Sequence, residues 1–539
     1  MKSNCLSVTP VETDYGRKTQ IHQSSCNMDY SCLKGDCPSF LTVELGEGAV
    51  PRKKAGSAGE LSEALPEPSL QADAAEPYKV LMVGIGGTGV VTVDALLVTA
   101  AAIEGKFALH LDQTGLAQKG GAVLSNLILS EQRIDRPAKI SVGETNLLLA
   151  FDLLAAVSRD NLERFHPQRT VAVVNTHRTS TAAMVTNVHA QFPQEQKLLE
   201  RLNTYTNREG TVGVDAEALT EGLFGNNQSN NIFLVGVAYQ AGLLPLRAES
   251  IEEAIRANEV AVEQNIRAFR WGRKYRLDAD AVLRLLHEDA APPAPREAAL
   301  DKLRRFAPAR ARELERLAAD FPGGGKLDDL LYPRVADLLL YQGSRLARGY
   351  LARVRKAVAA EHERTPGRTA LAEAVARWAF KLMAYKDEYE VARLWLHDPI
   401  RQHVRASYDG PLTLYYHLHP PLLRALGLKH KLRLGPWFTP AFKALYALRG
   451  LRGTPLDPFG YAAIRREERR LIQWYDGLLD EVLGALSHDN HALAVSIAGA
   501  PEGIRGYESI KQRTIAETEA QVATLLDALR SRQPERMAG

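Results

Sequence analysis

Four cysteines, Cys5, Cys26, Cys32 and Cys37, fall within the first forty residues of a chain of 539. Thiols that only fill a core would be scattered along the sequence. Thiols gathered in one segment share a task, and in a reducing compartment that task is metal binding more often than disulfide formation. Thiolates are soft, strongly donating ligands that suit iron, and Cys37-Pro38 has the Cys-Pro ending common in ferredoxin-type cluster motifs. The intervals of 20, 5 and 4 residues lack the tight Cys-x2-Cys-x2-Cys run that preorganises a 4Fe–4S cluster. The spacing alone therefore leaves three readings open. An iron–sulfur cluster comes first, then zinc, for which only Cys32 and Cys37 approach the usual paired spacing, then ordinary thiols.

A second group is Gly84-Ile85-Gly86-Gly87-Thr88-Gly89, which fits the pattern G-x-G-x-x-G. It follows the apolar run Tyr78–Val83, a buried-strand candidate, and precedes a helix-like stretch, Thr92–Glu104. In that setting glycines permit a tight turn, and the helix N-terminus offers free N–H groups to an anion. The bland reading is a packing turn without a ligand. Asp112 closes the next strand candidate, Phe107–Leu111, roughly where an acidic residue binds ribose in NAD-linked folds. Lys119, in the small-residue loop Thr114–Gly121, offers a point charge for phosphate or is a plain surface lysine. His417, His419 and His430 have no Cys or carboxylate close in sequence and read as structural histidines. No catalytic constellation stands out.

The elements that must position these groups fall into four segments. Residues 1–40 carry the cysteines with little apolar periodicity, and 41–77 read as a mobile linker rich in Pro, Gly, Ala and Ser. Residues 78–280 alternate strands (Asn146–Ala150 and Thr170–Val174 among them) with helices, which predicts an α/β domain with a parallel sheet. Residues 281–539 read as a mainly helical domain. There the apolar positions Val375, Trp378, Ala379, Leu382, Tyr385, Tyr389 and Ala392 predict one helix over Leu371–Leu394, with Lys386 and Glu390 pairing across a turn.

A net charge of +3 argues against a polyanionic partner, and the basic stretch Arg304–Arg312 reads as solvated surface. No run of eighteen apolar residues predicts a membrane span, and the N-terminus is unlike a secretory signal. The expectation is a cytoplasmic protein with neither nucleic acid nor membrane as partner.

Longer blocks carry a resemblance. Asn4–Val8, Gln23–Asn27 and Cys32–Phe40 resemble the cluster-binding segment of fused indolepyruvate ferredoxin oxidoreductases. The turn Val83–Val90 with Gly115–Gly121 resembles the gamma domain of 2-oxoacid:ferredoxin oxidoreductases. Arg334–Asp337, Lys381–Arg393, Gly435–Trp437, Arg449–Thr454, Asp457–Gly460 and Ile504–Gly506 are similar to the C-terminal domain of the fused enzymes.

The resemblance implies oxidative decarboxylation of aryl 2-oxoacids to acyl-CoA, with thiamine diphosphate, magnesium, 4Fe–4S clusters and coenzyme A, and with ferredoxin as electron acceptor. It implies Cys5, Cys26, Cys32 and Cys37 as ligands of an incomplete cluster, and Gly84, Gly86, Gly87, Thr88, Gly89 and Lys119 at the phosphate end of CoA. Nothing here resembles the thiamine and magnesium signature, and Met1 begins inside the cysteine motif of the family. The expectations are therefore a fragment or a split subunit, inactive alone, a thiamine-bearing partner and a homo-oligomeric assembly. An NAD-linked oxidoreductase and a non-catalytic scaffold are the alternatives.

Overall fold

The computed structural model describes residues 5, 7–35, 37–51, 61, 64–71, 76–115, 120–187, 190–286, 293–322, 324–397, 399–420 and 427–531. Lys119, one of the candidate phosphate ligands, lies outside them.

The cysteine segment contains a small hairpin of β1 (Val8–Val11) and β2 (Lys18–Ile21) and a 3-10 turn over Ser31–Lys34. Two further strands follow, β3 (Phe40–Leu45) and β4 (Val50–Pro51). This corrects the linker expectation for 41–77. The alternation Phe40-Leu41-Thr42-Val43 is strand chemistry, and β3 pairs antiparallel with β12 (Leu412–Leu418). Farther along, Pro66 and Glu67 dock on the α/β region, where Arg273 donates to Glu67 at 2.9 Å and to Pro66 O at 3.1 Å.

The α/β region is organised by a six-stranded sheet. Its strands are β5 (Tyr78–Ile85), β6 (Phe107–Thr114), β7 (Ala122–Ser130), β8 (Leu147–Ala150), β9 (Val171–Asn175) and β10 (Val212–Val214). The order is β10-β9-β8-β5-β7-β6. β5 is buried on both faces: Val80 and Met82 join one core, Leu81 and Val83 the other. β10, β9, β8 and β5 run parallel, as the strand–helix alternation requires.

One expectation needs correction. β7 runs antiparallel between β5 and β6, so β6 becomes the sheet edge. The loop from Thr114 to Ala122 is too short for a crossover, so the chain turns back as a hairpin. Helix α1 (Val90–Ile103) packs on β5, β6 and β7. The helices Asn230–Gln240 and Val262–Leu277 meet backbone to backbone, because a Cβ on Gly236 would stand 2.1 Å from Phe269 O.

Beyond residue 295 a further core is built from helices, and another, small core sits between β12, β13 (Leu432–Leu434) and helix Thr439–Ala447. The single helix expected over Leu371–Leu394 is two, Ala370–Met383 and Glu388–Leu396. Asp387 restarts the chain as an N-cap, accepting from Glu390 N at 2.8 Å. Lys386 thus precedes the second helix, and Glu390 pairs with Arg393 at 2.7 Å instead. Among the described residues, no helix is long and apolar enough to cross a membrane.

Candidate functional site

The Gly-rich turn sits where β5 leaves the sheet and α1 begins. Gly87 (φ 92°) and Gly89 (φ 88°) occupy the left-handed region that favours glycine. Gly84 is excluded from bearing a side chain for another reason: its Cβ would stand 2.7 Å from Val90 Cγ2. The turn is stitched to the loop after β6. Gly86 N donates to Gly121 O at 2.7 Å, and Gly120 N donates to Gly86 O at 3.3 Å. Gly120 and Gly121 are thereby held against the turn.

Between the two loops lies a hollow of about 230 Å³, lined by Ile85, Gly86, Gly87, Gly89, Val90, Val91, Thr114 and Val123. That is smaller than the pockets, upwards of ~300 Å³, that enclose whole cofactors. It has room for a phosphate group. No side chain caps the N-terminus of α1, so its first-turn N–H groups are available to an anion. Thr88 does not line the hollow. Its hydroxyl donates to Ile85 O at 2.7 Å, and its own carbonyl accepts from Asn231 Nδ2 at 2.8 Å, which braces the turn.

Asp112 is not where an NAD-linked reading needs it. β7 separates β6 from β5, which sets Asp112 two strand spacings, roughly 9–10 Å, from the strand that carries the turn. It belongs to another group. Ser125 donates to Asp112 Oδ1, and nearby Asp94 Oδ2 stands 2.7 Å from His110 Nδ1. Burial and the Asp112 charge push the Asp94 carboxyl up to about 6, against the opposing pull of His110.

All four cysteines are free and half-buried. Cys5, Cys26 and Cys32 are close enough to feel one another: burial, then the charges of Cys5 and Cys26, push the Cys32 thiol up. Two sulfurs already accept backbone N–H groups, Cys26 Sγ from Met28 and Cys37 Sγ from Ser39, each at 3.4 Å. Met28 and Tyr30, both at φ 54°, fold the loop between Cys26 and Cys32 back on itself. Cys37 stands somewhat apart, its thiol 3.9 Å from the Tyr507 hydroxyl. Among the described residues, no three of these sulfurs lie within 4.8 Å of one another.

A group that no motif announced joins the cysteine segment to the α/β region. His22 Nε2 lies 2.6 Å from Glu221 Oε1, and Glu217 Oε1 lies between His22 Nδ1 (3.8 Å) and His177 Nε2 (3.6 Å). His177 Nδ1 also meets Asp215 at 3.2 Å. The Glu221 hydrogen bond raises His22. Burial pulls His177 down, but Asp215, Glu217 and Glu221 outweigh it and leave it raised.

A larger cleft of about 730 Å³ is lined in part by Arg17, Arg178, Arg377 and Trp378. Each guanidinium there already faces a carboxylate, Glu12, Glu195 and Glu373 respectively, so the cleft has no evident surplus of positive charge. Two of the C-terminal histidines have structural partners: His417 Nε2 pairs with Thr42 Oγ1 at 2.9 Å, and His419 Nε2 with Leu428 O at 2.8 Å.

Residues 79–275 match the family "Pyruvate ferredoxin/flavodoxin oxidoreductase", and residues 327–524 match a "Family of unknown function (DUF6537)". The indolepyruvate oxidoreductase subunit IorB of Archaeoglobus fulgidus is 25% identical over 195 residues, which is 36% of this chain and 92% of that subunit. The IorB subunit of Methanothermobacter thermautotrophicus is 27% identical over 198 residues, 36% of this chain and 95% of that subunit. Among solved structures, pyruvate oxidoreductase subunit PORC of Thermotoga maritima covers 37% of this chain and 96% of its own, at 18% identity and a TM-score of 0.27. The gamma subunit of a keto/oxoacid ferredoxin oxidoreductase from Geobacter sulfurreducens covers 37% and 98%, at 22% identity and a TM-score of 0.27. The α/β region is thus homologous with IorB subunits of indolepyruvate oxidoreductases, a 2-oxoacid:ferredoxin oxidoreductase family.

Proposed function

We propose that this chain is the non-thiamine component of an enzyme that oxidatively decarboxylates aryl 2-oxoacids to acyl-CoA and passes the electrons to ferredoxin. The observation that carries the reading is the glycine-lined hollow at the start of α1, built into a region homologous with IorB. In this reading Gly84 lets α1 pack against β5, while Gly86, Gly87 and Gly89 keep the backbone bare beside the phosphate end of coenzyme A. Thr88 holds the turn's shape, and Lys119 adds a positive charge. Cys5, Cys26, Cys32 and Cys37 hold an iron–sulfur cluster that takes electrons one at a time. Thiamine diphosphate with magnesium, carried by a partner chain or domain, supplies the electron sink for the carbanion left by CO2 loss. This chain's own residues bind, orient and receive, and alone they leave 2-oxoacids untouched. Residues 1–40, 41–77, 78–280 and 281–539 are its segments in this reading, and the working assembly is a cytoplasmic oligomer.

The test is reconstitution. Indolepyruvate- and CoA-dependent reduction of methyl viologen should be absent with this chain alone and appear when a thiamine-bearing partner is added. Thiamine-dependent reduction by the chain alone would sink the proposal. Calorimetry separates the cofactor readings: CoA binding weakened by Lys119→Ala supports this assignment, whereas NADH binding without CoA binding supports a dehydrogenase.

A further inference from the structure

Asp94, His110 and Asp112 come from two elements that the fold presses together. His110 and Asp112 are two residues apart on the edge strand β6 and so share one face. Asp94 reaches them from the second turn of α1, which packs on that strand. One ligand atom from each of the three lies within 4.8 Å of the others. Three ligands of a single ion, each bonded at ~2.0–2.2 Å, stand roughly 3–3.8 Å from one another, so side-chain movement of about an ångström closes the set.

A second observation points the same way. The Asp94 side chain is fully buried, and its Oδ1 has no hydrogen-bond partner among the described residues. A buried carboxylate oxygen without a donor is costly to keep, and a second carboxylate beside it adds repulsion. His110 relieves only Oδ2. Ser125, directly opposite Asp112 on β7, donates to Asp112 Oδ1, which orients that carboxylate as supporting hydrogen bonds orient metal ligands. The His110 side chain is 47% exposed, which leaves an entry path from solvent.

We propose that Asp94, His110 and Asp112 form a binding site for a divalent first-row cation. One imidazole and two carboxylates are a mixed N,O set suited to Mn2+ or Zn2+, with coordination positions left for water. The site is separate from the cysteines. It flanks the glycine hollow: Asp94 lies one helical turn past Val90 and Val91, and Asp112 two residues before Thr114, all three of which line that hollow. The site does not depend on the CoA reading.

Mn2+ is the probe of choice, because thiolates bind it poorly and the free ion gives an electron paramagnetic resonance signal that vanishes on binding. The full chain, stripped with chelator, is titrated with MnCl2. The expected result is one bound Mn2+ per chain, with affinity reduced at least tenfold by Asp94→Asn and by Asp112→Asn. Glu217→Gln, in the His22 group, should leave it unchanged. If Asp94→Asn fails to fold, as judged by thermal melting, Asp112→Asn carries the test. No Mn2+ binding to the folded chain would overturn the proposal. So would binding that survives Asp112→Asn or is lost with Glu217→Gln.

Discussion

His22 Nε2 lies 2.6 Å from Glu221 Oε1, a contact that ties the cysteine segment to helix Ala216–Phe224 across 199 positions of sequence. Both partners are shifted toward the charged pair, His22 upward and Glu221 downward from their ordinary values of 6.5 and 4.5. A raised histidine contributes stability that is full below about 6.5 and is lost as pH rises through its folded value. A depressed carboxylate contributes stability that is full above about 4.5 and is lost as pH falls. The seam is therefore tightest between those values. Protection factors of residues 18–34, corrected for the intrinsic pH dependence of amide exchange, should peak near pH 5.5 and fall toward pH 8, and His22→Ala should flatten the alkaline side. An unchanged profile in that variant would refute the assignment.

The glycine turn makes a packing prediction. Gly84→Ala sets a methyl 2.7 Å from Val90 Cγ2 and 3.2 Å from Phe151 Cβ. The cost should be about 1–3 kcal/mol, as for other overpacked core sites. Val90→Ala in the same chain should recover part of it, so urea melts of the two single variants and the double variant should be non-additive.

A buried ion pair holds the helical region where Asp387 restarts the chain. Arg452 donates to both Asp387 oxygens, with Nη2 to Oδ1 at 2.8 Å, and both side chains are almost fully buried. Asp387→Ala strands the guanidinium and removes the cap on Glu390 N, so a loss of about 3–5 kcal/mol is expected from the pair alone. Arg452→Met, which removes the charge yet leaves Asp387 its capping role, should cost less. The two thermal melts decide the order.

For the cysteines, anaerobic reconstitution should yield iron and sulfide bound labilely. Cys26→Ala should abolish it, because Cys26 shares its neighbourhood with Cys5 and Cys32. Tyr507→Phe, which removes only the hydroxyl near Cys37, should leave the iron content unchanged. Iron content indifferent to Cys26→Ala would count against a cluster here, and stoichiometric zinc with no iron would favour the zinc alternative.

The turn at Gly84–Gly89 was legible in the sequence because a mostly apolar strand and a glycine run are local signals. β7 was not, since Ser125-Asn126 interrupts its apolar run. Both are buried nonetheless, with Asn126 Oδ1 accepting from Ile140 N at 3.1 Å. The break between the two helices over 371–394 did have a signal, Asp387-x-x-Glu390, a capping pattern hidden inside apolar periodicity that continues through it. The Asp94–His110–Asp112 and His22–Glu217–Glu221 groups had no motif. Their members come from separate elements that only the sheet order and the docking of the cysteine segment bring together.

The cysteine segment is anchored almost entirely by residues synthesised long after it. Arg334 donates to Asp14 O, Lys431 to Cys37 O, and Arg505 to Arg17 O. The last of these contacts spans 488 positions. On the ribosome, where regions fold as they emerge, the four thiols appear early yet have no fixed surroundings until nearly the whole chain has been made. In the proposed reading, a metal held by these thiols would therefore be acquired after translation, by a nearly finished protein.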